Sequence, residues 1–260
     1  MSSLSALCDA YGSESESDDS SQYESEPKIA EKPKLPMPKE ISSLFETKQQ
    51  DPNQDHQGRI RSFAHERGNW ATYVYIPYPK DLFKELKFHV ESIFNTTFGS
   101  SWQVIDDFHV TVSKTVVIPH HCIDPLVESL QEKLKELQPF SITFTADDLK
   151  VFVNDEKTRS FCGFKVQVPL TRQILAQVVQ SVDETFVEFH CEKYYINPSF
   201  HMSIAWCLGE VKDRNRLVKQ LAESWTSVEI ENPELFTFNV TNIVCKSGNK
   251  QFYLQLKAPS

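Results

Sequence analysis

The sequence predicts an α+β fold: two pseudo-symmetric lobes of antiparallel sheet flanked by helices, set around a central cleft. Three observations carry that prediction. Short runs rich in aromatic and β-branched residues alternate with segments whose apolar side chains recur at helical spacing. The order of helix then strand occurs twice, which is an internal two-fold plan. Each of those two strands opens on one pattern of aromatic, His, apolar, hydroxyl and apolar residues, Phe108-His109-Val110-Thr111-Val112 and Phe200-His201-Met202-Ser203-Ile204.

Regular patterning begins near Arg59. Residues 69–79 are aromatic and β-branched between Gly68 and the Pro77/Pro79 pair, hence a strand. Over 81–98, Leu82, Phe83, Leu86, Val90, Ile93 and Phe94 fall on one helical face. The first His strand follows at 108–113. After Pro119, a helix over 124–137 carries Leu126, Val127, Leu130, Leu134 and Leu137, and strands are expected at 140–145, 149–153 and 160–168. The second half repeats the plan. A helix over 170–189 presents Ile174, Leu175, Val178, Val182 and Phe186, and Pro198 introduces the second His strand at 200–206. A helix over 213–225 then precedes strands at 236–245 and 251–256, joined by the Lys246–Lys250 turn around Gly248.

Charge divides the chain. Residues 1–55 hold 12 Asp/Glu against 5 Lys/Arg, whereas 56–260 hold 24 against 22. Residues 12–26 are Ser, Glu and Asp around Tyr23, too little apolar surface to offset the entropy of ordering. Pro33, Pro36 and Pro38 then stiffen a linker. We therefore expect a disordered acidic tail and Pro-rich linker over 1–55 and one bilobal domain over 56–260. Ser13, Ser15 and Ser17 precede acidic residues and are candidate phosphorylation sites in a solvated tail. The start lacks a basic and apolar leader pattern, and no run of ~20 apolar residues exists, so a membrane is not an expected partner. The six cysteines are scattered without close Cys/His pairs, which suggests a reducing compartment, small core residues and no metal or other cofactor.

Alternation along a strand turns His and the hydroxyl residue two positions later to the same face. Side by side, the two His strands would give a cleft with two imidazoles and two hydroxyls. Cleaving RNA without a metal needs a base for the 2′-hydroxyl, an acid for the leaving 5′-oxygen and donors for the phosphoryl oxygens. His109 and His201 can each hold either protonation state near neutral pH, and Thr111 and Ser203 can donate to the non-bridging oxygens. Which imidazole is base and which is acid stays open from the residues alone. Tyr195 is the candidate for stacking on a nucleobase, held at the rim by the Asn197-Pro198 turn, with Phe152 as a second wall and Ser199 completing the substrate-binding set. Lys157, Arg159, Lys246 and Lys250 are loop cations, suited to phosphates or to a solvated loop. The nearly balanced folded part fits a short single-stranded contact rather than long duplex binding.

These residues carry a resemblance. His109-Val-Thr111 and His201-Met-Ser203 resemble the paired His-x-Thr/Ser motifs of the 2H phosphoesterase superfamily. Phe63-Ala-His65-Glu-Arg67-Gly-Asn-Trp70-Ala-Thr72, Glu156-Lys-Thr-Arg159, Asn197 to Cys207 and Cys245-Lys-Ser-Gly-Asn-Lys250 are similar to its U6 snRNA phosphodiesterase branch, over residues 59–256. The resemblance implies a nuclear, monomeric 3′–5′ exoribonuclease that trims the oligouridine 3′ end of U6 snRNA and leaves a 2′,3′-cyclic phosphate. It also implies His109 as proton acceptor, His201 as proton donor and Tyr195 against the base. Thr111 stands where close relatives often have Ser, and Phe152 where relatives place Tyr. Two alternatives remain: a 2H phosphodiesterase of small cyclic nucleotides, and a catalytically silent RNA-binding module.

Overall fold

The computed structural model describes residues 68–257; the expected tail and linker, and the start of the domain at residue 56, fall outside them. In chain order the elements are β1 (Asn69–Pro77), α1 (Lys80–Phe98), β2 (Gln103–Val104), β3 (His109–Thr111), β4 (Val116–Pro119), α2 (Ile123–Leu134), β5 (Phe140–Thr143), β6 (Leu149–Val153), β7 (Arg159–Lys165), α3 (Pro169–Glu188), β8 (His201–Leu208), α4 (Arg214–Glu231), β9 (Thr237–Val240), β10 (Asn242–Ser247) and β11 (Lys250–Gln255). The main sheet runs β11-β10-β1-β3-β8-β7-β6, with β4 also on β1 and β2 also on β8. Its pairings are antiparallel.

The two-fold plan is visible in this order. β1, α1 and β3 form one unit, β7, α3 and β8 the other, and they meet where β3 lies against β8. Strand alternation explains which face each residue takes. Val74, Ile76, Val110, Met202 and Phe164 are buried in one core with Leu86, Val90 and Phe94 of α1, Leu175, Val178, Val182 and Phe186 of α3, and Leu217, Leu221 and Trp225 of α4. The residues between them on β3 and β8 face the other way. Local signals set the helix limits. Gly99 closes α1 at φ +60 with its N–H on Asn95 O, Pro169 opens α3, and the Asp213 side chain accepts from Arg216 N–H at the start of α4.

A bulge interrupts the β7–β8 ladder beside the second His motif. Gly163 pairs with Ser203 but Cys162 pairs with Ala205, which leaves Ile204 as the extra residue, and Ile204 and Ala205 are both fully buried. Trp206 then shares a register row with Phe161 and Phe152. A Cβ on Gly163 would collide with Met202 O and lie 2.8 Å from Ser203 Cα, so glycine permits the close approach of β7 beneath Ser203.

Several boundaries differ from the sequence expectation. The run expected as one strand at 236–245 divides at Thr241: β9 pairs with β5 in a separate two-stranded sheet, and β10 joins the main sheet. Burial alternates through β9, whereas Ile243, Val244 and Cys245 are buried in succession, because β10 is covered on both faces. α4 continues to Glu231 because Val228 extends the buried face of Leu221 and Trp225. β2 and β4 are two and four residues long, too short to show a period. Among the described residues no helix is long and apolar enough to cross a membrane.

Candidate active site

β3 and β8 are antiparallel with Val110 opposite Met202. That register sets His109 across from Ser203 and Thr111 across from His201. Val110 and Met202 are buried at 0% and 1% exposure, so the four flanking residues, all partly exposed, share the opposite face. Two imidazoles and two hydroxyl residues thus occupy alternating corners of one patch. The neighbouring strands extend the rows: Tyr75 lies beside Thr111, Pro77 beside His109, Gly163 beside Ser203 and Lys165 beside His201. β3 is only three residues long because Ser113 replaces a ladder contact, its hydroxyl accepting from Val74 N–H at 2.7 Å.

Each imidazole is oriented by the backbone two residues upstream. His109 Nδ1 is 2.7 Å from Asp107 O, and His201 Nδ1 is 2.5 Å from Ser199 O. A carbonyl only accepts, so both Nδ1 atoms carry hydrogen and both Nε2 atoms remain for proton exchange. Burial lowers both imidazole pKa values from the ordinary range, and the carbonyl contacts oppose it. The Asp107 carboxylate raises His109 and Lys246 lowers it; His109 and Lys165 lower His201.

The rings beside the two histidines differ. Phe152 stacks on His201 with centroids 3.9 Å apart and planes 15° apart. His109 meets Tyr75 at 4.8 Å and 53°, and Tyr73 stacks on Tyr75 at 5.4 Å. Burial pushes the Tyr75 phenol up, so it stays protonated as a donor.

Tyr195 lies on the loop between α3 and β8, 51% exposed, with Lys114 Nζ 5.3 Å from its ring centroid. That loop is tied to β3, because Tyr194 Oη donates to Thr111 O at 3.2 Å and Lys114 pairs with Glu192 at 2.8 Å. Asn197 and Pro198 line a depression against α3 with Arg172 and Phe200, where they shape the loop's return. Ser199 contributes its carbonyl to His201. One face of the Phe152 ring, expected as a base wall, is covered by His201. Lys157 pairs with Glu210 at 3.7 Å, and the Arg159 guanidinium lies 5.8 Å from the Trp206 ring. Sequence reasoning missed Tyr75, Lys165 and Gly163. Lys165 was within reach of the same alternation, one residue past buried Phe164 on a strand beside β8. Among the described residues, no group of three or more His, Cys, Asp or Glu is arranged to hold a metal ion.

Comparison with known proteins gives the family. The profile of a family termed HVSL, described as an uncharacterised conserved protein, matches residues 35–255. U6 snRNA phosphodiesterase 1 of Xenopus laevis is 39% identical over 253 residues, covering 95% of this chain and 99% of that protein. The Homo sapiens protein of the same name is 34% identical over 235 residues, covering 86% and 84%. The solved structure of Kluyveromyces marxianus Usb1 with uridine monophosphate matches with a TM-score of 0.50 at 13% identity, covering 72% of this chain and 98% of that one, a likeness of fold.

Proposed function

This chain belongs to the U6 snRNA phosphodiesterase 1 family, and from that premise we propose that it trims the 3′ end of U6 snRNA by attack of a ribose 2′-hydroxyl on the adjacent phosphodiester. The observation that carries this reading is the β3–β8 register, with each imidazole across from a hydroxyl and both Nε2 atoms left for proton transfer.

The penultimate nucleotide's 2′-oxygen attacks phosphorus as its proton passes to His109 Nε2. The phosphorus–oxygen bond to the terminal nucleoside breaks, and His201 supplies the proton to that 5′-oxygen. The released terminal nucleoside has a free 5′-hydroxyl, and the retained strand ends in a 2′,3′-cyclic phosphate. Thr111 and Ser203 hydrogen-bond the non-bridging oxygens, where negative charge grows, with Lys165 and Lys246 adding positive potential. Tyr195 stacks on the terminal uracil. These groups supply every proton transfer, so we expect the reaction to proceed without a metal, in a monomer, in the nucleus with its substrate.

The test uses uridine-ended RNAs with single 2′-deoxy substitutions. A penultimate 2′-deoxy nucleotide is expected to block cleavage, whereas a terminal one is cut at nearly the normal rate, and mass analysis of the retained strand shows the cyclic phosphate. Rapid cleavage of the penultimate-deoxy RNA would leave water as the nucleophile and overturn the mechanism.

A further inference from the structure

Beside His109 the catalytic face continues over β1, β10 and β11 into a cavity of about 700 Å³. Tyr75, Val244 and Tyr253 stand in one register row, continuous with Thr111. Gln251 ties this wall together: its amide donates to Tyr75 Oη at 3.2 Å, and its Oε1 accepts from Tyr253 Oη at 3.2 Å. One N–H of that amide is left for another acceptor. Phe83 and Lys80 contribute to the lining from α1, and Lys80 Nζ lies 6.0 Å from the Tyr253 ring centroid. Tyr253 is 48% exposed, so part of it is open to the cavity and solvent.

We propose that this cavity is the subsite for the nucleobase on the retained side of the scissile phosphate, with Tyr253 as its stacking platform and Gln251 as a hydrogen-bonding partner. The proposal rests on the reading that His109 receives the 2′-proton of the penultimate nucleotide, which brings that ribose against His109. The cavity adjoins His109 through two of its own walls: the Tyr75 ring is 4.8 Å from the imidazole, and Asp107 holds Nδ1. Tyr195 lies outside this cavity, on the α3–β8 loop beside Lys114, so the protein offers two separate stacking tyrosines. The lining chemistry separates a base from a phosphate. The charged groups of the lining are Asp106, Asp107 and Lys80, with Asp106 paired with Lys87 at 2.7 Å, so no net positive charge draws an anion, whereas an aromatic face and an amide suit a neutral heterocycle with polar edges.

The experiment compares a uridine-ended RNA with the same RNA whose penultimate nucleotide keeps its ribose and 2′-hydroxyl but lacks the base. Removing the base is expected to lower kcat/KM about tenfold, and Tyr253→Ala to cost about as much on the intact RNA and little more on the abasic one. Equal cleavage of the two RNAs by the unaltered protein overturns the subsite, as does a Tyr253→Ala loss that is the same on both. The substrate-side deletion does not depend on how a variant folds. If the penultimate-deoxy RNA is cleaved rapidly, the 2′-hydroxyl mechanism has failed independently. Affinity of the two RNAs for the His201→Ala protein then decides the subsite: about tenfold weaker binding of the abasic RNA supports it, and equal binding overturns it.

Discussion

The His109 half and the His201 half use one backbone device and two different surroundings. In both, a strand offers His and a hydroxyl to the same face, and a carbonyl two residues upstream fixes Nδ1. In the first half the imidazole meets a tyrosine joined by hydrogen bonds through Gln251 to Tyr253; in the second it is stacked flat on a phenylalanine. The duplicated backbone positions two equivalent groups, and the side chains around them make the groups unequal. A proton-transfer pair needs that inequality, because one member must be neutral when the other is charged.

The largest expected effect removes either half. His109→Ala and His201→Ala should each lower the single-turnover rate by about 10²–10⁴, and the double variant should fall little further, because each imidazole serves the same coupled transfer. A near-normal rate in either single variant would break the equivalence.

Next come the hydroxyls. Ser203→Ala and Thr111→Val should each cost about 10²-fold in kcat with a smaller change in KM, since their hydrogen bonds strengthen as phosphoryl charge grows. A loss confined to KM would assign them to ground-state binding instead.

The rings give a smaller and more discriminating contrast. Burial lowers both imidazole pKa values, so the bell-shaped profile of kcat/KM should centre on the acid side of the ordinary imidazole range. Besides Phe152, His201 feels Lys165 and His109, which lower it, and the Ser199 carbonyl, which raises it. The Phe152 face favours imidazolium. Phe152→Leu should therefore lower the pKa of the proton donor, so that activity is lost at a lower pH on the alkaline limb. Tyr75→Phe keeps the ring beside His109 and should leave that limb in place. The reverse pattern in the measured pH profiles would exchange the roles of the two histidines. The smallest effect is none at all: excess EDTA should leave the cleavage rate unchanged, and a loss restored by a divalent metal would show that the imidazole pair is insufficient.

Much of this contrast was legible in the sequence. Period-two alternation around His109 and His201 placed both imidazoles and both hydroxyls on one surface, and helical spacing located all four helices of the described residues. The sequence did not mark which strands lie side by side. Tyr75 and Lys165 enter the site because β1 and β7 flank the His strands, and Phe152 meets His201 from β6, two strands away. The division at Thr241 was hidden for the same reason, since a continuous apolar run carries no mark of which sheet each part joins. Nor do side chains announce the Nδ1 contacts, because Asp107 and Ser199 act there through their main chain.

Those two carbonyls have an evolutionary consequence. The tautomer of each imidazole is written into the path of the chain, not into a side chain that a point substitution could delete. Positions 107 and 199, here Asp and Ser, can drift in identity without losing the Nδ1 contact, provided the main chain keeps its course, although loss of the Asp107 carboxylate would also remove a charge that raises the His109 pKa. A carboxylate-oriented histidine could lose its orienting group through a single codon change. Here both orienting groups lie beyond the reach of such a change, and inheritance of the fold is itself inheritance of the tautomer.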